Sequence, residues 1–256
     1  MEYKEEEWIE MKEEDGDEGF GGIFANPDPF ETFHHTFAIP LETGEQEEQI
    51  EISLVGRRAD EAQMLSSTGL TLWRAAPILC NYLIAHSGSL VKGKQILELG
   101  AGMGLAGVVA GVLGASGVFL TDGDSDSLSN LRANIQRNSS LIPSSTNIQC
   151  LQLKWGQRIE EFKAKCNLST PAGLFDLVMG SDIIYVETIL EPLFQTVDAL
   201  LSPSGSFVLA YARRNVKIDC VFETADRFGF QWTEPTSSEG CFVFQRRRSS
   251  ESIYTA

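Results

Sequence analysis

The run Gln95-Ile-Leu-Glu-Leu-Gly-Ala-Gly-Met-Gly104, followed directly by Leu105-Ala-Gly-Val-Val-Ala-Gly-Val-Leu113, constrains this chain more than any other stretch. A short apolar run breaks into alternating glycines, and a longer apolar run begins at once. That pattern predicts a buried strand turning sharply into a packed helix. Gly100, Gly102 and Gly104 open positive-φ conformations to the turn and let a ligand approach bare amides. An ordinary strand-to-helix turn needs one such glycine, so three in alternation point to a ligand.

The rest of the chain supplies a sheet for that turn. Glu31 to Ile39 and Gln49 to Val55, with Ile50, Ile52 and Leu54 on one face, predict a hairpin ahead of the main domain. Ala75 to Ala85 predicts a helix with Pro77 tolerated in its first turn, and a loop through Gly88 and Gly93 follows. Further strands are expected at 117–122, 147–153, 175–179 and 206–211. Helices are expected from a cap at Asp124 to about Asn138, up to about Cys166, from Glu187 to Leu201 with a break at Pro192, and from Lys217 to Phe228. Two strands, at 230–232 and 241–245, close the chain. The order predicts an α/β fold: a Rossmann-like doubly wound seven-stranded sheet with an antiparallel C-terminal edge, plus an N-terminal β-hairpin extension. The expected divisions are an acidic, disordered tail at 1–22, the extension at 23–64, the main domain at 65–248 and a polar tail at 249–256.

The net charge of −16 is unevenly placed. Residues 1–18 hold ten acids against Lys4 and Lys12, a net −8, so the body is only mildly acidic and lacks the basic stripe that phosphate-backbone binding needs. The five cysteines show no CxxC spacing and read as reduced core thiols, and three histidines make no metal centre. No segment reaches the ~20 apolar residues of a membrane helix. The acidic start is the wrong chemistry for a leader. A cytoplasmic protein, with the nucleus as a second location, is expected.

Two ligands compete for the glycine turn. Gly102-Met-Gly-Leu-Ala-Gly107 has GxGxxG spacing, and Asp122 lies twenty residues beyond Gly102, so a nicotinamide dinucleotide is formally possible. The other frame is Glu98-Leu-Gly-Ala-Gly-Met-Gly104, an acid ahead of GxGxG. A pyrophosphate wants bare amides and a helix N-terminus without a carboxylate close by. S-adenosylmethionine carries an ammonium and a sulfonium, which Glu98 would suit. Asp122 fits the ribose of either ligand. Charge therefore favours S-adenosylmethionine over an oxidoreductase's cofactor.

Trp73 ahead of a helix, Glu98-Leu-Gly-Ala-Gly, Thr121-Asp122, Leu131-Arg-Ala-Asn134-Ile, Lys154-Trp-Gly156 and Gly180-Ser-Asp-Ile-Ile-Tyr185 occur in one order. Together they resemble the seven-β-strand protein methyltransferases of the methyltransferase-like family that modify lysines of non-histone proteins. The resemblance covers roughly residues 65–245. It implies donor-binding roles for Trp73, Gly100, Ala101, Gly102, Asp122, Trp155 and Ser181, with Glu98 and Gly104 completing the turn. Trp155 would flank the adenine. Arg74 and Gly123 depart from the pattern.

Methyl transfer from a sulfonium is mostly alignment and electrostatics. Asp182 is expected to orient the acceptor amine, and Tyr185 to offer it a hydroxyl and an aromatic face. Arg213 and Arg214 follow a strand end and could reach the acceptor side or stay on the surface. The expected partner is a protein substrate, one whose basic surface the acidic tail would steer. Histidine or a small molecule as acceptor, and a catalytically silent binding module, stay open at this point.

Overall fold

A computed structural model describes residues 30–40, 46–57, 68–168, 174–211, 216–235 and 240–247. The acidic tail, Arg213, Arg214 and the C-terminal tail lie outside the described residues. β1 (Glu31–Pro40) and β2 (Glu47–Gly56) pair antiparallel as the expected hairpin. β3 (Gln95–Leu99), β4 (Gly117–Asp122), β5 (Asn147–Gln152), β6 (Phe175–Ser181), β7 (Leu201–Ala210), β8 (Phe230–Thr233) and β9 (Cys241–Arg246) form a seven-stranded sheet. Its order is β5-β4-β3-β6-β7-β9-β8. β9 runs antiparallel to both of its neighbours, so the reversed strand lies one place in from the edge.

The strand sequences explain why both faces are covered. Ile96, Val118, Leu177 and Val208 belong to one buried cluster, and their chain neighbours Leu97, Phe119, Val178 and Leu209 to the other. Successive strand side chains point to opposite faces. Strands apolar at every position therefore need helices on both sides. The first cluster contains α1 (Ala75–Ala85), α2 (Leu105–Val112), residues of α3 (Ser125–Arg137), and Phe37, Ile50, Ile52 and Leu54 of the hairpin. The second contains residues of α4 (Ile159–Lys165), α5 (Leu190–Leu200) and α6 (Ile218–Arg227). The strand order reverses at β3, with β4 on one side and β6 on the other, which opens a crevice at the carboxyl ends of these strands.

Three local expectations change. The loop through Gly88 holds one wide helical turn, Ser87–Val91, whose Val91 is buried. The helix expected from Glu187 splits into a short turn, Glu187–Ile189, and then α5. Pro192 is the third residue of α5, where no intrahelical N–H bond is lost. β7 begins at Leu201 rather than Ser206. Leu201 pairs with Phe175 and Ser206 with Leu177, so the Ser-Pro-Ser-Gly segment bulges out of a strand already begun.

Candidate active site

The turn after β3 runs through three left-handed glycines, with φ of +62° at Gly100, +52° at Gly102 and +88° at Gly104. At two of them a side chain facing the crevice would crowd its neighbours. A Cβ at Gly100 would sit 2.8 Å from Ile183 Cγ2, and one at Gly102 would sit 3.2 Å from the Gly69 carbonyl oxygen. Both line a cavity of about 740 Å³, a size that suits a nucleoside-bearing ligand. Ala101 and Gly104 stand behind the lining. The Ala101 N–H donates to the Thr121 carbonyl at 2.8 Å, and Gly104 precedes α2, packed against Leu131.

Asp122, at the end of β4, also lines the cavity. Its Oδ2 accepts the Gly102 N–H at 3.1 Å and its Oδ1 accepts the Asp124 N–H at 3.0 Å. Each oxygen keeps a second lone pair for a ligand hydroxyl. Burial holds this carboxyl above its usual range, with the Asp124 and Gly102 amides offsetting part of the rise. Capping of α3 falls to Asp124, whose carboxylate accepts from the Asp126 and Ser127 amides.

Trp155 is half-buried on the lining, its ring 3.4 Å from where a Cβ at Gly100 would sit, and the residue after it explains how it is held. Gly156 takes φ +70°, and its N–H donates to Thr196 Oγ1 at 2.8 Å. A Cβ there would meet Pro192 at 2.9 Å. Trp73 completes the rim, its indole N–H donating to the Thr68 carbonyl at 3.1 Å.

Ser181, Asp182 and Tyr185 line the same cavity from the end of β6. Asp182 is 7% exposed and takes φ +54°, a left-handed conformation rarely used by a residue with a side chain. Its N–H donates to the Ala210 carbonyl at 3.0 Å, and its Oδ2 accepts the Ala75 N–H, the first amide of α1, at 3.1 Å. The carboxylate thus meets the positive end of a helix from far earlier in the chain. Tyr185 is 52% exposed at the mouth.

Glu98 lies elsewhere. It is absent from the lining and only 2% exposed. Strand alternation puts it beside Ile96 on the face that α2 covers, where a Cβ at Gly107 would approach its Oε2 to 2.6 Å. That oxygen has no hydrogen-bond partner. Burial pushes the carboxyl up to about 8, nearby Asp122 adding a smaller push that the Gly107 amide opposes. At neutral pH the group is therefore mostly protonated.

Sequence reasoning missed Thr68 and Gly69, which wall the cavity across from Gly102, and Ile183, which closes on Gly100. Gly69, standing ahead of Leu-Thr-Leu-Trp73, was the available signal. Among the described residues no group of three or more His, Cys, Asp or Glu side chains could hold a metal ion, and no helix is long and apolar enough to cross a membrane.

The charged residues on the lining are Asp122, Asp124 and Asp182 against Lys154. Three acids and one lysine suit a cationic ligand and ill suit a pyrophosphate. The glycine cradle and the hydroxyl-ready Asp122 fit S-adenosylmethionine. The model of a family described as lysine methyltransferase matches residues 58–228. The chain belongs to that family. Its donor is S-adenosylmethionine, and its activity is that of a protein lysine N-methyltransferase. This methyltransferase is similar to the protein N-lysine methyltransferase METTL21A of Danio rerio. The two are 33% identical over 201 residues, covering 76% of this chain and 85% of that one. METTL21A of Xenopus tropicalis is 36% identical over 141 residues, 54% of this chain and 58% of its own. The protein N-terminal and lysine N-methyltransferase efm7 of Emericella nidulans is 29% identical over 181 residues, 65% of this chain and 68% of its own.

Proposed function

We propose that this methyltransferase modifies a lysine ε-amine on a basic segment of a partner protein, using the cavity at the ends of β3, β4 and β6. One observation carries the reading: a single cavity gathers Gly100, Gly102, Asp122, Trp155, Ser181, Asp182 and Tyr185, from widely separated parts of the chain, under an acidic lining. S-adenosylmethionine, when bound, supplies an electrophilic methyl group on a sulfonium. Gly100 and Gly102 admit it close to the backbone, Asp122 accepts from ribose hydroxyls, and Trp73 and Trp155 wall the adenine side. Ala101, Gly104 and the neutral Glu98 shape the turn from behind.

A lysine acceptor must lose its proton, against an ordinary pKa of ~10.4. Asp182 is held by Ala75 and Ala210 where it can orient the amine and offset the charge that grows on nitrogen. Tyr185 offers the methylated ammonium an aromatic face, a contact of ~0.5–2 kcal/mol. A second concavity, of about 790 Å³, begins beside Glu187 and Thr188 and carries Glu187, Glu191, Asp219, Glu223 and Asp226. Arg227, paired with Glu191 at 2.9 Å, is the only cation on its lining among the described residues, and Arg247 pairs with Asp226 from outside it, which leaves Glu187, Asp219 and Glu223. That excess of acid favours a basic acceptor segment. The scattered thiols, with Cys80 and Cys241 buried in the first core, suit a cytoplasmic protein.

The test is incubation with tritiated S-adenosylmethionine and a methylation-poor lysate, followed by mass spectrometry of the labelled band. Label on a lysine flanked by basic residues is expected. Label confined to α-amines, to histidine or to small molecules would refute the assignment of the acceptor. No label, with no affinity for S-adenosylhomocysteine, would refute the donor site.

A further inference from the structure

α3 and its C-cap present Asn130, Asn134 and Asn138 at four-residue intervals, one stripe of a helix. All three carboxamides turn to the free edge of β2. The Ser53 N–H donates to Asn138 Oδ1 at 3.0 Å, and Asn138 Nδ2 returns a bond to the Ser53 carbonyl at 2.8 Å. The Val55 N–H donates to Asn134 Oδ1 at 2.8 Å, and the Val55 carbonyl accepts from Asn134 Nδ2 at 3.0 Å and Asn130 Nδ2 at 2.9 Å. The stripe thus does the work of a neighbouring strand, offering one donor and one acceptor at every second residue. Asn134 is fully buried and sends a further bond, at 3.1 Å, to the Met103 carbonyl inside the glycine turn.

The alternating apolar side chains of β2, Ile50, Ile52 and Leu54, exclude a one-residue slip of the hairpin but not a two-residue slip. Directional bonds to Ser53 and Val55 fix the register to the residue. Register matters at the end of β2, which packs against the segment that lines the cavity. Gly56 packs so that a Cβ would meet Met103 Sδ at 2.5 Å and the Leu70 carbonyl at 2.6 Å. The Arg57 N–H donates to that carbonyl at 2.7 Å, and Arg57 bridges to Thr71. The turn held in this way, Thr68–Leu70, brings Thr68 and Gly69 onto the cavity opposite Gly102.

We propose that Asn130, Asn134 and Asn138 are positioning residues for the methyl donor. They lock β2 in register so that the segment from Thr68 to Trp73 closes over the glycine turn. This role rests on the cavity taking the donor.

The test uses the full chain with Asn130→Ala, Asn134→Ala and Asn134→Asp, the last keeping the acceptor for the Val55 N–H while losing the donor to both the Val55 and the Met103 carbonyls. S-adenosylhomocysteine affinity is measured by calorimetry, KM separately for donor and acceptor, and amide exchange across 68–73. The dissociation constant should rise about 5-fold in Asn130→Ala and about 30-fold in Asn134→Ala, and at least as much in Asn134→Asp, whose buried carboxylate would face two carbonyl oxygens. Donor KM should follow, kcat and acceptor KM should stay within about two-fold, and exchange should quicken at 68–73 before it does in β6 or β7. If Asn134→Ala does not fold, the half-buried Asn130 carries the test. Unchanged donor affinity in Asn130→Ala, with or without a lower melting temperature, would overturn the proposal. Failure of the unmutated protein to bind S-adenosylhomocysteine would instead overturn the donor reading beneath it.

Discussion

The turns after β3 and after β6 both bring left-handed backbone to one cavity, and they do so by opposite means. After β3 the left-handed positions are glycines, and at Gly100 and Gly102 a side chain would be strained by the positive φ and would crowd Ile183 and the Gly69 carbonyl. After β6 the left-handed position is Asp182, anchored at both its amide and its carboxylate by residues of other elements. Glycine makes such a conformation nearly free, whereas a residue with a Cβ costs of order 1 kcal/mol there and persists only when its surroundings enforce it. The first turn is shaped to be bare so that a ligand can approach. The second is shaped to keep one particular side chain in place.

The largest test of this contrast is Asp182→Asn. It keeps an oxygen for the Ala75 N–H and removes the charge, so kcat should fall about 100-fold or more while S-adenosylhomocysteine affinity stays within about three-fold. Wild-type turnover would remove Asp182 from the chemistry. Next comes Gly100→Ala, which should weaken S-adenosylhomocysteine about 30-fold, because the added methyl meets Ile183 and φ stays positive. Calorimetry on that variant with undiminished affinity would mean that the turn is not the donor cradle.

Asp182→Ala differs from Asp182→Asn by losing the bond to α1 as well, and should lower stability by about 1–2 kcal/mol beyond the Asn variant in urea unfolding. Equal stabilities would mean that the Ala75 contact contributes little. The last test is Glu98→Gln, whose effect is smallest near pH 5 and grows with pH. The folded carboxyl titrates near 8 and the unfolded one near its ordinary value of 4.5, so the folded state binds the extra proton between these limits. Stability should therefore fall as pH rises from about 4.5 to about 8, Asp122 shifting in the same direction. Glu98→Gln should match the wild type near pH 5 and melt a few degrees higher near pH 8.5. Parallel melting curves across pH would show that Glu98 ionises freely.

Much of the site was legible because its residues follow strand ends. Asp122 follows β4's apolar run, Trp155 follows β5, and Asp182 follows β6, and in a doubly wound sheet those ends share one rim. Glu98 was misplaced for a related reason. In a strand apolar on both sides, alternation says that Glu98 shares a face with Ile96 but not which helix covers that face. Charge complementarity with the donor requires an ionised group facing the ligand, and burial under α2 leaves this one neutral and hidden.

The amino-acid sequence by itself determined the order of elements, the glycine turn, the need for helices on both faces of the sheet, and the family. These rest on local signals: apolar periodicity, glycine spacing and caps such as Asp124. Only the tertiary structure decided that Asp182 meets the first amide of α1, that Gly69 faces Gly102, and that three asparagines of α3 and its cap bond the edge of β2. Those contacts join residues twenty or more positions apart through directional hydrogen bonds and close packing. Their partners become neighbours only once the strands have been ordered and the helices laid across them.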